Sequence, residues 1–304
     1  MPNWNQVLNE ILSKNDELQN GAVGGVDVVR RKYLADLAKV TGRPVIAYYS
    51  GWLSNPTAFG TDVNDEDKNA FMMAIHKLDK DKGLDLILHT PGGGIAAAES
   101  IVDYLRRIFG KDIRAIVPHL AMSAGTMMAC ACKSIVMAKH SNLGPIDPQI
   151  MGLPAAAVKK EIERALSEIK ADPAMLQVWQ FVLNKYNPTF IGQCDQAVIW
   201  AKEFVQKNLE DNMFDGQQDA GSRAKRIVEA LSDIDATKSH SRHIHIDDCI
   251  NLGLKIEKLE DNQELQDAVL TVHHCYMHSF GSSPAVKIVE NHLGAAMIKV
   301  SGRQ

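Results

Sequence analysis

Apolar positions along this chain switch between helical and strand periods. Trp4, Val7, Leu8 and Ile11 recur at helical spacing, and a second polar, helix-type run ends in Arg30-Arg31-Lys32-Tyr33-Leu34. Thr41-Gly42-Arg43-Pro44 signals a turn, and Val45-Ile46-Ala47-Tyr48-Tyr49 is an apolar run of strand length. Asn64 precedes Asp65, Glu66 and Asp67, and Phe71, Ile75 and Leu78 follow at helical period. This predicts a capped helix start with acidic residues at the positive end of the dipole, closed by Lys82-Gly83. Leu84 to Leu88 reads as a buried strand running into His89-Thr90-Pro91-Gly92-Gly93-Gly94. Ala96 to Phe109 predicts an amphipathic helix, Ile113 to Val117 a strand, Ala124 to Cys132 a helix, and Ser134 to Ala138 a strand. Strands and helices in this alternation predict a parallel α/β sheet.

The texture changes after Gly144-Pro145-Ile146-Asp147-Pro148. Pro154 opens a helical stretch to about Ala171, with more helix to about Leu231. Ser239 to Asp248 is polar and histidine-rich, Leu265 to His278 is helical in pattern, and Val286–Val289 with Ala296–Val300 suggest a terminal hairpin.

Composition narrows the class. The 304 residues are 45% hydrophobic and 23% charged, which excludes wholesale disorder and collagen-like repeats. A formal net charge of −4 gives no basic footprint for nucleic acid. The start has no basic residues followed by an apolar run, and the most apolar region, Leu120 to Ala131, carries Ser123, Gly125 and Thr126. We expect a cytoplasmic protein with no membrane anchor of its own. Five cysteines, an odd number with only a C-x-C spacing at Cys130 and Cys132, predict reduced thiols and no metal site.

Two elements carry candidate chemistry. Thr90-Pro91-Gly92-Gly93-Gly94 lies between a strand end and a helix, where glycines expose backbone N–H groups. It lacks either nucleotide-binding glycine pattern, and an oxyanion hole uses the same donors. Ala121-Met122-Ser123-Ala124-Gly125-Thr126 also links a strand to a helix, so Ser123 is either an N-cap or a nucleophile. A serine nucleophile needs a base. His119, His140, Asp147, Lys159 and Lys160 are the nearby candidates. A helical stripe of Val158, Ile162, Ala165, Leu166 and Ile169 sets Lys159 beside it and Lys160 nearly opposite, which favours Lys159 as the buried one. The cluster His240, His243 and His245, and the later His273, His274 and His278, read as surface or core histidines at a domain edge.

At these residues the chain resembles the Clp/crotonase superfamily, and within it the serine dehydrogenase proteinase family, relatives of signal peptide peptidase A. The matching pieces are Leu84-Asp-Leu-Ile-Leu-His-Thr-Pro-Gly-Gly93, Ala121-Met-Ser-Ala-Gly-Thr126, Leu143-Gly-Pro-Ile-Asp-Pro-Gln149, Pro154-Ala155-Ala156, and Ser283 to His292. The likeness covers most of residues 45 to 304. It implies a spiral of parallel strands with flanking helices, plus a helical C-terminal region and the terminal hairpin. The segments are then 1–40 (helical), 41–260 (catalytic) and 261–304 (helix and hairpin extension). It further implies a serine endopeptidase with Ser123 as nucleophile, Gly92, Gly93 and Ala124 around an oxyanion hole, no cofactor, a protein or peptide substrate, and a homo-oligomer. Clp proteases carry a histidine about where this chain has Gly144 to Pro148, and here that stretch offers only Asp147 as an accessory group. The signal peptide peptidase branch uses a serine–lysine dyad, and its pattern favours Lys160 where periodicity favours Lys159. Two alternatives stand beside this expectation: a non-catalytic scaffold that has lost its base, and a crotonase-type acyl-CoA enzyme. Met122, Met127 and Met128 are expected to contribute an apolar assembly surface.

Overall fold

The computed structural model describes residues 4–18 and 24–301. Seven strands form one mixed sheet, in the spatial order Ile256–Lys258, Ser134–Met137, Ile113–Val117, Leu84–His89, Val45–Ser50, Ala285–Asn291 and Ala296–Val300. The first five pair in parallel, and the last two add as an antiparallel hairpin against Val45–Ser50. One sheet therefore unites strands from residues 41–260 with two from 261–304.

Burial on both faces explains the unbroken apolar runs. Every residue of Val45–Ser50, Leu84–His89 and Ala285–Asn291 is buried, as expected for strands covered on both sides. One face packs on Glu66–Ala74, Ile95–Phe109, Ala124–Cys130 and the helices Phe190–Asn208 and Ala220–Ser232. The other packs on Gly25–Thr41 and Gln263–Ser282. Each large side chain so enclosed contributes roughly 1.5–3 kcal/mol. Asp85 is the acidic residue in its strand. It is fully buried, and Arg43 and Arg114 donate to its carboxylate at 2.7–3.0 Å.

The helix expected after Asn64 spans Glu66–Ala74. Asn64 Oδ1 accepts from the Glu66 N–H at 3.2 Å, while Asp67 Oδ2 accepts from the Asn64 N–H at 2.9 Å. Two expectations are corrected. Met122, Met127 and Met128 are buried inside the chain and form no assembly surface, because Met127 and Met128 belong to the main core and Met122 packs against Gly144. Leu166, expected in an apolar stripe, is 64% exposed, and the helix Ala155–Ala171 buries only Ala155, Val158 and Ala165. Its inward face is narrow because it packs mainly on Phe190–Asn208. Among the described residues no helix is long and apolar enough to cross a membrane. All five cysteines are buried free thiols, and desolvation pushes Cys130 and Cys132 up to about 12.

Candidate active site

A second, three-stranded sheet gathers the chemistry. Leu120–Ala121 pairs in parallel with Asn142–Leu143, which pairs antiparallel with Ile244–His245. Each strand adjoins a loop carrying one polar residue of interest: Ser123, Asp147 and His240 in turn. Segments some 120 residues apart in sequence thus meet through three two-residue strands.

Ser123 follows Leu120–Ala121 with φ 50° and ψ −116°, a backbone conformation uncommon for a residue with a Cβ. Its side chain makes no N-cap hydrogen bond, so the hydroxyl is not spent on the helix it precedes. The glycine loop is fixed against it by a parallel bridge. The Thr90 N–H donates to the Leu120 carbonyl, and the Met122 N–H donates to the Thr90 carbonyl, both at 3.0 Å. A Cβ at Gly92, where φ is +96°, would lie 2.5 Å from the Ser123 Cβ. Only glycine permits that approach.

A further bridge orients the next peptide. The Val63 N–H donates to the Gly92 carbonyl at 2.7 Å, and the Gly94 N–H donates to the Val63 carbonyl at 2.8 Å. In a parallel bridge the residue between those two groups turns its own N–H to the other side. That residue is Gly93, and it lines the same cavity as Ser123. The Gly92 N–H donates to Thr90 Oγ1 at 3.2 Å. Of the three expected oxyanion residues, Gly92 therefore shapes the turn, while Gly93 and Ala124 have N–H groups outside these bonds. Ala124 begins the short helix, where N–H groups lack intrahelical partners.

The cavity beside Ser123 is about 550 Å³. Ile95, Met127, Ile146, Ile150, Ala197 and Trp200 give it apolar walls, and Gln149 and His240 bring polar groups to it. His240 Nδ1 lies 2.8 Å from Asp147 Oδ1, and Gln149 Nε2 donates to Asp147 Oδ2 at 2.9 Å. Asp147 is 2% exposed. An ionised carboxylate only accepts, so it holds the imidazole proton on Nδ1 and leaves Nε2 as the basic nitrogen. Thr126 Oγ1 accepts from the Gly144 N–H at 2.8 Å and so ties the loop bearing Asp147 to the helix after Ser123.

The two lysines lie elsewhere. Lys159 pairs with Asp195 at 2.7 Å and Lys160 with Asp235 at 2.5 Å, and both line a separate cavity of about 330 Å³. Neither lines the cavity of Ser123. His119 is packed instead against the rings of His89 and His273. Desolvation and neighbouring imidazoles hold all three below the ordinary histidine value, His273 at about 3. Among the described residues no His, Cys, Asp or Glu group is arranged to hold a metal.

Sequence reasoning missed His240. It stood in a histidine-rich segment read as an edge, and its partner Asp147 is 93 positions away. The signal that could have found it is a pairing between two very short strands, which leaves no periodicity.

Ser123, Asp147 and His240 fall inside a region that matches known proteins. A family model described as ClpP-like SDH-type serine proteinase matches residues 58–293. The uncharacterized protein MJ0137 of Methanocaldococcus jannaschii is 32% identical over 192 residues, covering 63% of this chain and 59% of that protein. MJ1495 of the same organism, also uncharacterized, is 28% identical over 221 residues, covering 73% of this chain and 66% of that protein. The matched region thus spans under two thirds of the length of each of these curated relatives.

Proposed function

This chain belongs to the ClpP-like SDH-type serine proteinase family, and on that premise we propose that it is a serine peptidase with a Ser123–His240–Asp147 triad. One observation carries the reading: the cavity lined by Ser123 and Gly93 is also lined by His240, whose Nδ1 is held by the buried Asp147. His240 Nε2 takes the Ser123 hydroxyl proton as Oγ attacks the substrate carbonyl carbon. The negative charge that develops on the carbonyl oxygen is met by the N–H groups of Gly93 and Ala124. Collapse of this intermediate breaks the C–N bond, and the leaving amine takes the proton from His240. Water, deprotonated by the same nitrogen, then hydrolyses the acyl-enzyme and restores Ser123. Lys159 and Lys160 are given no step.

The missing base was the reason to keep a non-catalytic scaffold in view, and His240 supplies a candidate for it. The substrate we propose is a protein or peptide, and the apolar cavity walls support acceptance of apolar side chains next to the scissile bond. Hydrolysis of fluorescein-labelled casein by wild type and Ser123→Ala tests the reading. Release of peptides by wild type alone supports it, and equal release by both overturns the role of Ser123.

A further inference from the structure

The loop between Ser50 and Val63 is held at three consecutive carbonyls. Ser50 Oγ donates to the Thr61 carbonyl at 2.6 Å, Lys287 Nζ donates to the Asp62 carbonyl at 2.5 Å, and the Val63 carbonyl accepts from the Gly94 N–H at 2.8 Å. The middle anchor is unusual. Lys287 lies within the buried strand Ala285–Asn291 and is only 3% exposed. An ammonium in that position is strongly unfavourable unless paired, and an apolar side chain would fill the strand position as well.

Its partners explain why it is there. Lys287 Nζ donates to Asp67 Oδ1 at 2.7 Å and to Oδ2 at 2.9 Å. Asp67, 4% exposed, also accepts from the Tyr48 hydroxyl at 2.7 Å and from the Asn64 N–H at 2.9 Å. The buried pair therefore grips one short segment at both ends: the Asp62 carbonyl through Lys287, and the Asn64 N–H through Asp67. Burial pulls the Lys287 ammonium below its ordinary value, while Asp67 pulls it the other way.

Between these grips sits Val63, which is fully buried. Its N–H and carbonyl bracket Gly93, and a Cβ on Gly93 would lie 2.4 Å from both atoms. The orientation of the Gly93 peptide is thus set by the position of Val63, and that position by Lys287 and Asp67.

We infer that Lys287 is a positioning residue for the reaction: with Asp67 it clamps Asp62–Asn64 so that Val63 holds the Gly93 N–H toward the developing oxyanion. The inference rests on the oxyanion role proposed for Gly93. It reaches beyond it by assigning a task to a lysine on the inner strand of the hairpin, which does not line the cavity of Ser123.

The test pairs kinetics with hydrogen exchange on the full chain. Saturation kinetics of fluorophosphonate labelling give the inactivation rate constant kinact and the binding constant KI. They are measured for wild type, Lys287→Met and Lys287→Arg, well below the Tm of each. Lys287→Met is expected to lower kinact about 10- to 100-fold, less than the full loss of an oxyanion donor, with KI within about twofold. Exchange of the Val63 and Gly94 amides should quicken in this variant while the Ile87 amide in the sheet keeps its protection. Lys287→Arg should restore part of kinact. A merely structural lysine would lower Tm and leave kinact at the wild-type value in the folded protein, and that result overturns the proposal. If wild type itself takes no label, the Ser123 reading has failed. The clamp is then judged by exchange alone, and unchanged Val63 and Gly94 amides in Lys287→Met overturn it. Should Lys287→Met not fold, Asp67→Asn is read by the same two criteria.

Discussion

Exchanging Asp147 for asparagine removes a charge and keeps a shape. In the resting protein Asp147 Oδ1 meets His240 Nδ1 at 2.8 Å and Oδ2 accepts from Gln149 at 2.9 Å. An asparagine can still accept from His240, because Gln149 can turn its amide over and accept from the new Nδ2. The resting tautomer therefore survives. What disappears is the attraction between the carboxylate and the imidazolium that forms when His240 takes the Ser123 proton. At 2.8 Å and an effective dielectric constant of about 20 that attraction is about 6 kcal/mol. The His240 side chain is 27% exposed, so water screens part of it. A remainder of about 3–4 kcal/mol corresponds to roughly a 10²- to 10³-fold slower acylation, at 1.36 kcal/mol per decade. The assay is kinact of fluorophosphonate labelling for Asp147→Asn against wild type. The double variant Asp147→Asn/Gln149→Leu denies the amide its partner and should lose about tenfold more by admitting the wrong tautomer, at roughly one decade per 1.36 kcal/mol. A labelling rate for Asp147→Asn within about threefold of wild type would refute the reasoning.

Three further outcomes follow from the same geometry. Gly92→Ala, which puts a Cβ 2.5 Å from that of Ser123 at a φ of +96°, should abolish labelling. It should also lower stability by about 1–2 kcal/mol from the left-handed backbone alone; thermal melts and intact mass check both. Lys159→Ala and Lys160→Ala remove half-exposed side chains paired to Asp195 and Asp235, and each should leave the labelling rate within about twofold of wild type. Burial and repulsion from neighbouring imidazoles hold His89, His119 and His273 below their ordinary value, so the fold binds their neutral forms. The stability they contribute is complete above the unfolded value of 6.5 and is lost as pH falls toward about 3. The Tm should therefore drop on acidification from about pH 7 to about pH 4, and less steeply in His273→Leu; a flat profile for wild type would contradict this.

The sheet was legible in the sequence because burial on both faces writes itself as continuous apolar runs. Leu84 to Leu88 and Ile113 to Val117 were found within a residue of their bounds for that reason. The glycine turn and Ser123 were legible as strand-to-helix junctions. The base was not. His240 reaches the site through the pairing of Ile244–His245 with Asn142–Leu143, a contact of two residues on each side with no pattern to detect. Helical periodicity drew attention to Lys159 and the resemblance to Lys160 instead, since periodicity reports which face is apolar and says nothing of which cavity that face adjoins. Leu166 shows the same limit: it fits the stripe and lies in solvent. Lys287 was hidden in another way. A charged residue within Val286-Lys287-Ile288-Val289 reads as the solvent face of a hairpin, whereas that strand is covered on both sides and Asp67 neutralises the charge.

The central claim is that Ser123 is activated by His240. Intact-mass spectrometry after fluorophosphonate treatment of wild type, Ser123→Ala and His240→Ala tests it most directly. Wild type should take one adduct per chain and Ser123→Ala none, and labelling of His240→Ala should be slowed by at least about 10³-fold. Labelling of His240→Ala at the wild-type rate would contradict it, as would a folded wild-type protein that takes no adduct.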